Sequence, residues 1–421
     1  MFLVWFYSKK NLSKLINFEY YKTAFEDLKK SGITIIYFYK ENNSILIADD
    51  LTKKLDKIWV SIKSYNNIDE ILKYLKSLNW KIFINTFEEQ EIPIANEIKR
   101  WLWQEISDNP EIFVNKYLQR KLIWEKYPET VVNFEVFPFE KINDFKETEF
   151  LHTPLIIKPT WGVQSSWVHK IQNMNEFETA IKDIPSAFEK LKEKNLLNQK
   201  VLIEEFIDWK MYTVDYFVDE FSNFQLTAPV YVKLWIDYWI DDFCNIVRYM
   251  SEWEVIDQNK LLDFVKKTVK WAKIKNTFIH HEFKINSKWI FKTIEINWRI
   301  WWYRLDMYNK WYGINLLKFP FSSDKKELKL LKNIAVFALY PKYEWVFKWI
   351  HNNLIENILK LPSLDRLKIL ENQIWNEVWF TKNWYSKLGT IVLANNDYQQ
   401  FKKDSQFLEN NYFDMLQVDK F

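Results

Sequence analysis

An α/β fold, grading into α+β in its central part, is predicted for this chain of 421 residues. Three observations predict it. The first third alternates short apolar runs with helical patterns, as a parallel sheet requires. The middle carries longer strand-like runs joined by short turns. The end closes on the strand-like "NEVWFTKNWYSKLGTIVLA" and a polar helix.

Taken in order, "FLVWFY", "ITIIYFY", "SILIAD" and "KIFINT" read as strands, with "YYKTAFEDLKK" and "IDEILKYLKSL" as helices between them. The opening run from Phe2 to Tyr7 has no basic stretch before it and reads as a buried strand rather than a signal peptide. Around residues 116–210, a helix precedes the strand "PLIIKP" and a loop; a second helix from about 175 leads to the strand "KVLIEEFI". Residues 212–232 and 278–297 read as antiparallel strands, and the closing run from Asn376 reads as a hairpin. With no tandem repeat or Gly/Ser linker, we divide the chain into residues 1–110, 111–325 and 326–421, the second containing a lid over about 116–200.

Composition narrows the function. Hydrophobic residues at 48% and charged residues at 27% are those of a globular protein that buries a core. A net charge of +3 is too mild for a nucleic-acid footprint. No run reaches the roughly 18 apolar residues of a membrane span. A single cysteine, Cys244, excludes an internal disulfide framework and a cysteine-based zinc cluster. A cytoplasmic setting is expected.

Glycine and tryptophan are out of balance. There are 23 Trp and 4 Gly, together 27 of 421 residues, close to the ordinary glycine share of about 7%. The Trp also sit where glycine is expected: "NSKWIF", "TKNWYS" and "SLNWKI" place them in turns, and "RWLWQE" and "RIWWYR" would crowd indoles. We therefore expect most of these Trp to stand for glycine, through UGA codons read as glycine in an AT-rich genome. Trp271, inside a helical pattern, is the exception. The alternative is a tryptophan-rich, non-enzymatic module that stacks sugars or bases.

Three segments carry chemistry. In "PLIIKPTWGVQSSWVHKI" a strand delivers Lys158 to a small, polar loop; with glycine at 161 and 167 its backbone N–H groups could cradle phosphate. In "NTFIHHEFKINSKWIFKTIEINWRI" two strands flank the turn Asn286–Trp289. A symmetric turn sets Glu282 opposite Thr293 and makes Glu282 and Glu295 diagonal neighbours, about 7–8 Å apart. Glu282, Glu295 and Asn297 then share a face and form a hard oxygen-ligand set for Mg²⁺, with Arg299 beside them for a phosphate. His280 on that face is expected to be a hydrogen-bonded neighbour rather than a ligand. In "VLIEEFIDWKMYTVDYFV" the strand ending Glu204-Glu205-Phe206-Ile207 could offer edge hydrogen bonds and a carboxylate to a planar ligand.

The order of these parts resembles the ATP-grasp superfamily: a lysine on a helix ("FVNKYLQR"), Lys-Pro with a glycine-rich loop ("IIKPTWGVQSSWV"), a Glu-Glu-x-Ile hinge ("IEEFIDWK"), a strand glutamate ("HHEFK") and Glu-x-Asn-x-Arg-x-Gly-Gly ("EINWRIWWYR"). The resemblance covers about residues 110–320, and "FINTFEEQEIPIANEIKR" looks like the end of the usual pre-ATP-grasp domain. It implies an ATP-grasp fold with an N-terminal pre-ATP-grasp α/β domain and a C-terminal α+β cap. It implies ATP and Mg²⁺ as cofactors, with Mn²⁺ an acceptable substitute. By it, Lys116 and Lys158 would contact nucleotide phosphates and Gln164, Ser165 and Ser166 would close over them. Glu204 would take the adenine amino group, and Glu205, Phe206 and Ile207 would supply hinge backbone contacts. Glu282, Glu295 and Asn297 would hold the metal, and Arg299 would stabilise the transferring phosphoryl group. Arg304, placed on a loop, is a candidate for a substrate carboxylate. The acid such enzymes often place after the hinge, for ribose, is replaced by Lys210-Met211.

The expected reaction is ligation of a carboxylate to an amine through an acyl phosphate, releasing ADP and phosphate. The expected partners are these small molecules, with no nucleic acid or membrane, and a homodimer is compatible. A biotin-carboxylase-like enzyme would keep the fold, but the Gln-Val-Glu-His stretch of that family is Trp301-Trp302-Tyr303-Arg304 here. The Pro-Arg-Pro-His motif of purine-pathway members is absent as well.

Overall fold

A computed structural model of the chain describes all residues except 7–17, 42–48, 87, 89–90, 109, 145–153, 162–166, 193–199, 239, 241–242, 251–255, 301–303, 323–329, 342–344, 371–373, 375, 379–386 and 420–421. The N-terminal part is a parallel sheet in the order β3-β2-β1-β4, formed by β1 (Phe2–Phe6), β2 (Thr34–Lys40), β3 (Val60–Tyr65) and β4 (Ile82–Thr86). Three of the expected strands are present. The fourth, "SILIAD", lies almost wholly outside the described residues, and its Asp49 opens the helix Asp49–Asp56. The missing member of the sheet is "VSIKSY", whose polar and charged alternate positions hid it. Such a strand is half-solvated at a sheet edge.

A second small sheet, in the order β5-β8-β6-β7, joins β5 (Phe134–Pro138), β6 (Leu155–Pro159), β7 (His169–Ile171) and β8 (Lys200–Glu205). The helix Met174–Lys192 covers its apolar face through Phe177, Ala180 and Ile184.

The central sheet runs β14-β13-β9-β11-β12-β15-β19-β17, with β10 (Phe224–Leu226) paired to β9. Its members are β9 (Lys210–Val218), β11 (Val230–Leu234), β12 (Asn245–Met250), β13 (Thr277–Ile285), β14 (Phe291–Asn297), β15 (Asn333–Leu339), β17 (Leu364–Ile369) and β19 (Gly389–Asn395). Strands from beyond residue 330 therefore extend the sheet begun at residue 210. A three-stranded sheet, β18-β16-β20, combines β16 (Trp345–Ile350), β18 (Glu377–Val378) and β20 (Leu416–Asp419). Of the closing run, residues 379–386 lie outside the described residues, so the expected hairpin falls on them; its flanking strands pair elsewhere, β18 with β16, and β19 between β15 and β17.

Backbone geometry bears on the tryptophans. Eight non-glycine residues among those described have φ in the left-handed region, and four of them are Trp: Trp59, Trp103, Trp167 and Trp289, at φ 56–61°. A bulky side chain at such φ is an outlier. Trp103 follows the helix Ile92–Trp101: its N–H bonds to the Arg100 carbonyl, and Gln104 N–H to the Lys99 carbonyl at 2.9 Å. That is a Schellman cap with Trp in the position glycine normally takes. The Trp103 indole is 95% exposed, so nothing packs against it in return. In "SLNWKI" the left-handed residue is Asn79, not Trp80. Trp271 donates its indole N–H to the Leu122 carbonyl, as a tryptophan with a structural role does.

Candidate functional site

The site is assembled at the edge of the central sheet. β14 is its terminal strand, and an uncovered strand edge leaves backbone groups unpaired. The helix Lys116–Lys126 covers it. Gln119, fully buried, donates to the Ile296 carbonyl at 2.8 Å and accepts the Ile296 N–H at 3.1 Å; Arg120 donates to the Ile294 carbonyl at 2.7 Å. The register shifts by one residue at Ile294. Lys284 faces Lys292, but Glu282 faces Glu295 and His280 faces Asn297. The expected diagonal placement of the glutamates is thus corrected: a β-bulge sets them directly opposite. Like charges directly opposite are destabilising unless a cation intervenes.

One cation is already present. Lys116 Nζ lies 2.7 Å from Glu295 Oε1. Burial would raise the Glu295 carboxyl, but Lys116, and then Arg299, hold it below the usual carboxylate range. Asn297 is buried, and its Oδ1 has no hydrogen-bond partner. Two carboxylate groups and an orphaned carboxamide oxygen on one face are hard oxygen donors, so the residues present fit a Mg²⁺ ion. Among the described residues no cluster of three His, Cys, Asp or Glu offers a competing metal site.

Below the face that carries Glu282, Glu295 and Asn297 lies a buried polar network. His280 Nδ1 is 2.8 Å from Asp215 Oδ1, and its Nε2 is 3.4 Å from Glu282 Oε1. Tyr308 donates to Asp215 Oδ2 at 3.0 Å. Arg304 donates to the Thr213 hydroxyl at 2.6 Å and lies 3.7 Å from Asp215. Burial alone would raise Asp215; His280, Arg304 and Tyr308 outweigh it and hold the carboxyl down. Arg304 opens the helix Arg304–Tyr312 and is 1% exposed, which corrects its expected place on a loop. His281, on the opposite face, stacks on Phe264 and is pushed down to about 3 by burial, so it is neutral.

A cleft of about 900 Å³, part of it open to solvent, separates the small sheet β5–β8 from the central sheet. Its walls are apolar, with Val132, Ile156, Met211, Leu234 and Phe243, and Lys116, Lys158, Glu204, Glu282 and Glu295 line its polar end. Glu204 is 3% exposed, and its two oxygens pair with Arg120 Nε and Lys158 Nζ. Burial would raise this carboxyl, but the two cations bring it down to about 2. Glu204 is therefore first the counter-ion that fixes Lys158. At the hinge, Glu205 N–H and Phe206 N–H already bond the Asn133 and Pro154 carbonyls, so these two donors are not open to a ligand. Lys284 Nζ donates to the Ile207 carbonyl at 2.8 Å. Burial lowers Lys284 to about 8, with Asp237 and Asp208 opposing the shift.

Lys116, Lys158, Glu204 to Ile207, Glu282 and Glu295 thus line one cleft, and Asn297 is opposite His280 on the adjoining strand pair. Gln164, Ser165 and Ser166 lie outside the described residues. Sequence reasoning missed Arg120, Gln119, Lys284 and Asp215. Arg120 was within reach, being four residues after Lys116 on one helix face, as was Lys284, two after Glu282 on one strand face.

Residues 151–300 match the family described as ATP-grasp domain. A search among curated proteins finds no match to the chain. Among solved structures the chain is similar to an L-amino acid ligase from Bacillus licheniformis, with TM-score 0.72 and 15% identity over 100% of this chain and 98% of that one. It is also similar to a phosphoribosylglycinamide synthetase from Anaerococcus prevotii (TM-score 0.58, 16% identity, 100% and 99% covered). A biotin carboxylase from Campylobacter jejuni gives TM-score 0.61 and 14% identity over 99% and 92%. At these identities the likeness is one of fold, and the fold is ATP-grasp.

Proposed function

We propose that this ATP-grasp protein is a Mg-ATP-dependent ligase that phosphorylates a carboxylate and joins it to an amine. The observation that carries the reading is the opposed pair Glu282–Glu295, with Asn297 alongside, at the polar end of an otherwise apolar cleft. In this reading the apolar walls take the adenine and the polar end takes the triphosphate. Lys116 and Lys158 neutralise phosphate oxygens, with Lys158 aimed by Glu204 and Arg120. Glu282, Glu295 and Asn297 hold Mg²⁺, which when bound offsets charge on the β- and γ-phosphates. Arg299 meets the charge that grows on the transferring phosphoryl group. A carboxylate oxygen of the substrate attacks the γ-phosphorus, and the bond to the β,γ-bridging oxygen breaks to release ADP. The amine nitrogen then attacks the acyl carbon, phosphate leaves, and the nitrogen gives up its proton. Arg304, buried beneath the metal face, would act through Thr213 and Asp215 rather than on a substrate carboxylate. Among the described residues no helix is long and apolar enough to cross a membrane.

The same reading takes most Trp as glycine. Four Trp in the left-handed region support it, as do the buried indole N–H groups of Trp161, Trp298 and Trp311, which have no hydrogen-bond partner. Nucleotide products test the chemistry. ADP and phosphate, formed only when a carboxylate substrate is supplied, are expected. AMP with pyrophosphate would overturn the acyl-phosphate step.

A further inference from the structure

The helix Lys116–Lys126 does more than cover the edge of the central sheet. Its first residue, and the two that lie one turn further on, grip three consecutive residues of β14. Arg120 Nη2 donates to the Ile294 carbonyl at 2.7 Å, and Gln119 bonds both backbone groups of Ile296. Between them Lys116 Nζ takes the side chain of Glu295 at 2.7 Å. The main chain of Lys116 is fixed as well. Asn115 caps the helix by accepting the Leu118 N–H at 3.2 Å, and the Lys116 N–H donates to the Thr160 carbonyl at 2.9 Å. The ammonium is thus delivered to Glu295 by a clamped helix end, and 12% of its side chain is exposed.

Glu295 is one of the two opposed carboxylates, and Oε1 is the atom that the ammonium covers. Glu282 across from it meets His280 Nε2 at 3.4 Å. Arg299 also acts on Glu295. Two negative and two positive side chains therefore share this end of the cleft, and a balanced set has little net pull on a divalent ion arriving alone. Such an ion also meets an ammonium group at the oxygen it needs. A triphosphate changes both conditions, because it brings negative charge to the same end and offers the ammonium a phosphate oxygen.

We propose that Lys116 occupies the metal position as a stand-in cation and makes metal binding depend on nucleotide. Without nucleotide its ammonium holds Glu295 Oε1 and keeps a divalent ion out. When the triphosphate enters, the ammonium passes to a phosphate oxygen and leaves the carboxylate to the metal. No covalent bond forms or breaks, and no proton moves. The opposed carboxylates stay compensated at both stages. The proposal rests on the ligase reading for where metal and phosphate lie, and adds an order of binding with the residue that enforces it.

The test uses the full chain with glycine at 161, 167, 298, 301 and 302, and measures Mn²⁺ binding by electron paramagnetic resonance with no nucleotide present. The parent should bind Mn²⁺ weakly. Lys116→Met should bind it at least about 10-fold more tightly, a factor within the usual range of coupling between two sites. Adding Glu295→Gln to that variant should abolish the gain. AMPPNP binding in EDTA, read by calorimetry, should weaken in Lys116→Met, which has lost the phosphate partner. Lys116→Gln serves the same purpose if Lys116→Met does not fold. Equal Mn²⁺ affinity in the parent and the folded variant overturns the proposal, as does a gain that survives Glu295→Gln or undiminished AMPPNP binding in EDTA. A parent whose melting temperature does not rise with Mn²⁺ and AMPPNP together removes the ligase reading as well.

Discussion

Glu282 and Glu295 face each other across β13 and β14 because the chain gains one residue at Ile294. Gln119 and Arg120 hold the backbone on either side of that gain. Changing either glutamate to Gln preserves shape and removes one of the opposed charges. Mg²⁺ or Mn²⁺ affinity should fall in both variants, with turnover lower by a factor of about 10² or more. The melting temperature without metal should hold or rise. Calorimetric titration with Mn²⁺ and a rate assay check both, and unchanged metal affinity in both variants would refute the assignment.

The Asp215–His280–Glu282 chain of contacts predicts a positioning effect. His280→Ala frees the Glu282 carboxylate from its buried neighbour and leaves Asp215 one partner short. The magnesium concentration for half-maximal rate should rise by about 10- to 100-fold, the usual cost of losing such a supporting contact. The KM for ATP at saturating magnesium should change little. Equal losses in both quantities would point to general disruption instead.

Glu204 predicts acid sensitivity with a definite sign. Its ordinary carboxyl value of 4.5 falls to about 2 in the folded chain. A depressed value contributes stability above the unfolded pKa that is lost as pH falls toward the folded one. The gap corresponds to ~3 kcal/mol. Denaturant midpoints should therefore decline between about pH 4.5 and 2, and Glu204→Gln should flatten that part of the decline. Arg120→Leu, which strips a partner from a buried charge, should cost about 3–5 kcal/mol at neutral pH.

The left-handed tryptophans predict gains. A non-glycine residue in that region costs roughly 1–2 kcal/mol, so Trp103→Gly, Trp59→Gly and Trp289→Gly should each stabilise the chain by ~1 kcal/mol in urea titrations. The gene should show TGA at these positions. Stability losses together with TGG codons would establish the tryptophans as native. In the phosphate loops the expectation concerns binding. The printed chain should bind Mg-ATP poorly, while the form with glycine at 161, 167, 298, 301 and 302 should bind it at micromolar to millimolar concentrations, as calorimetry would read.

The strand pair β13–β14 was legible because its carboxylates recur at period two beside apolar partners on either side of a short turn. Its register was not legible. The bulge at Ile294 answers to Gln119 and Arg120, residues 174 or more positions away, and nothing local to "FKTIEIN" announces it. Strand β3 was hidden by the polar alternate residues of a sheet edge, and Arg304 was misplaced because the sequence before it, "RIWWY", holds no Ser, Thr, Asp or Asn to signal a helix start. Asp215 reads as an ordinary strand residue until His280, from β13, and Arg304 and Tyr308, from one helix, converge on it.

The order of strands in the central sheet sets a timetable for synthesis. β12, at residues 245–250, takes its outer partner from β15 at 333–339, which in turn needs β19 at 389–395. A ribosome that has delivered the whole family-matched segment, residues 151–300, has produced every metal-site candidate but left an apolar strand edge without its neighbour. Such a nascent chain should be sticky and without ATP affinity, and nucleotide binding should appear only once nearly the entire chain has emerged.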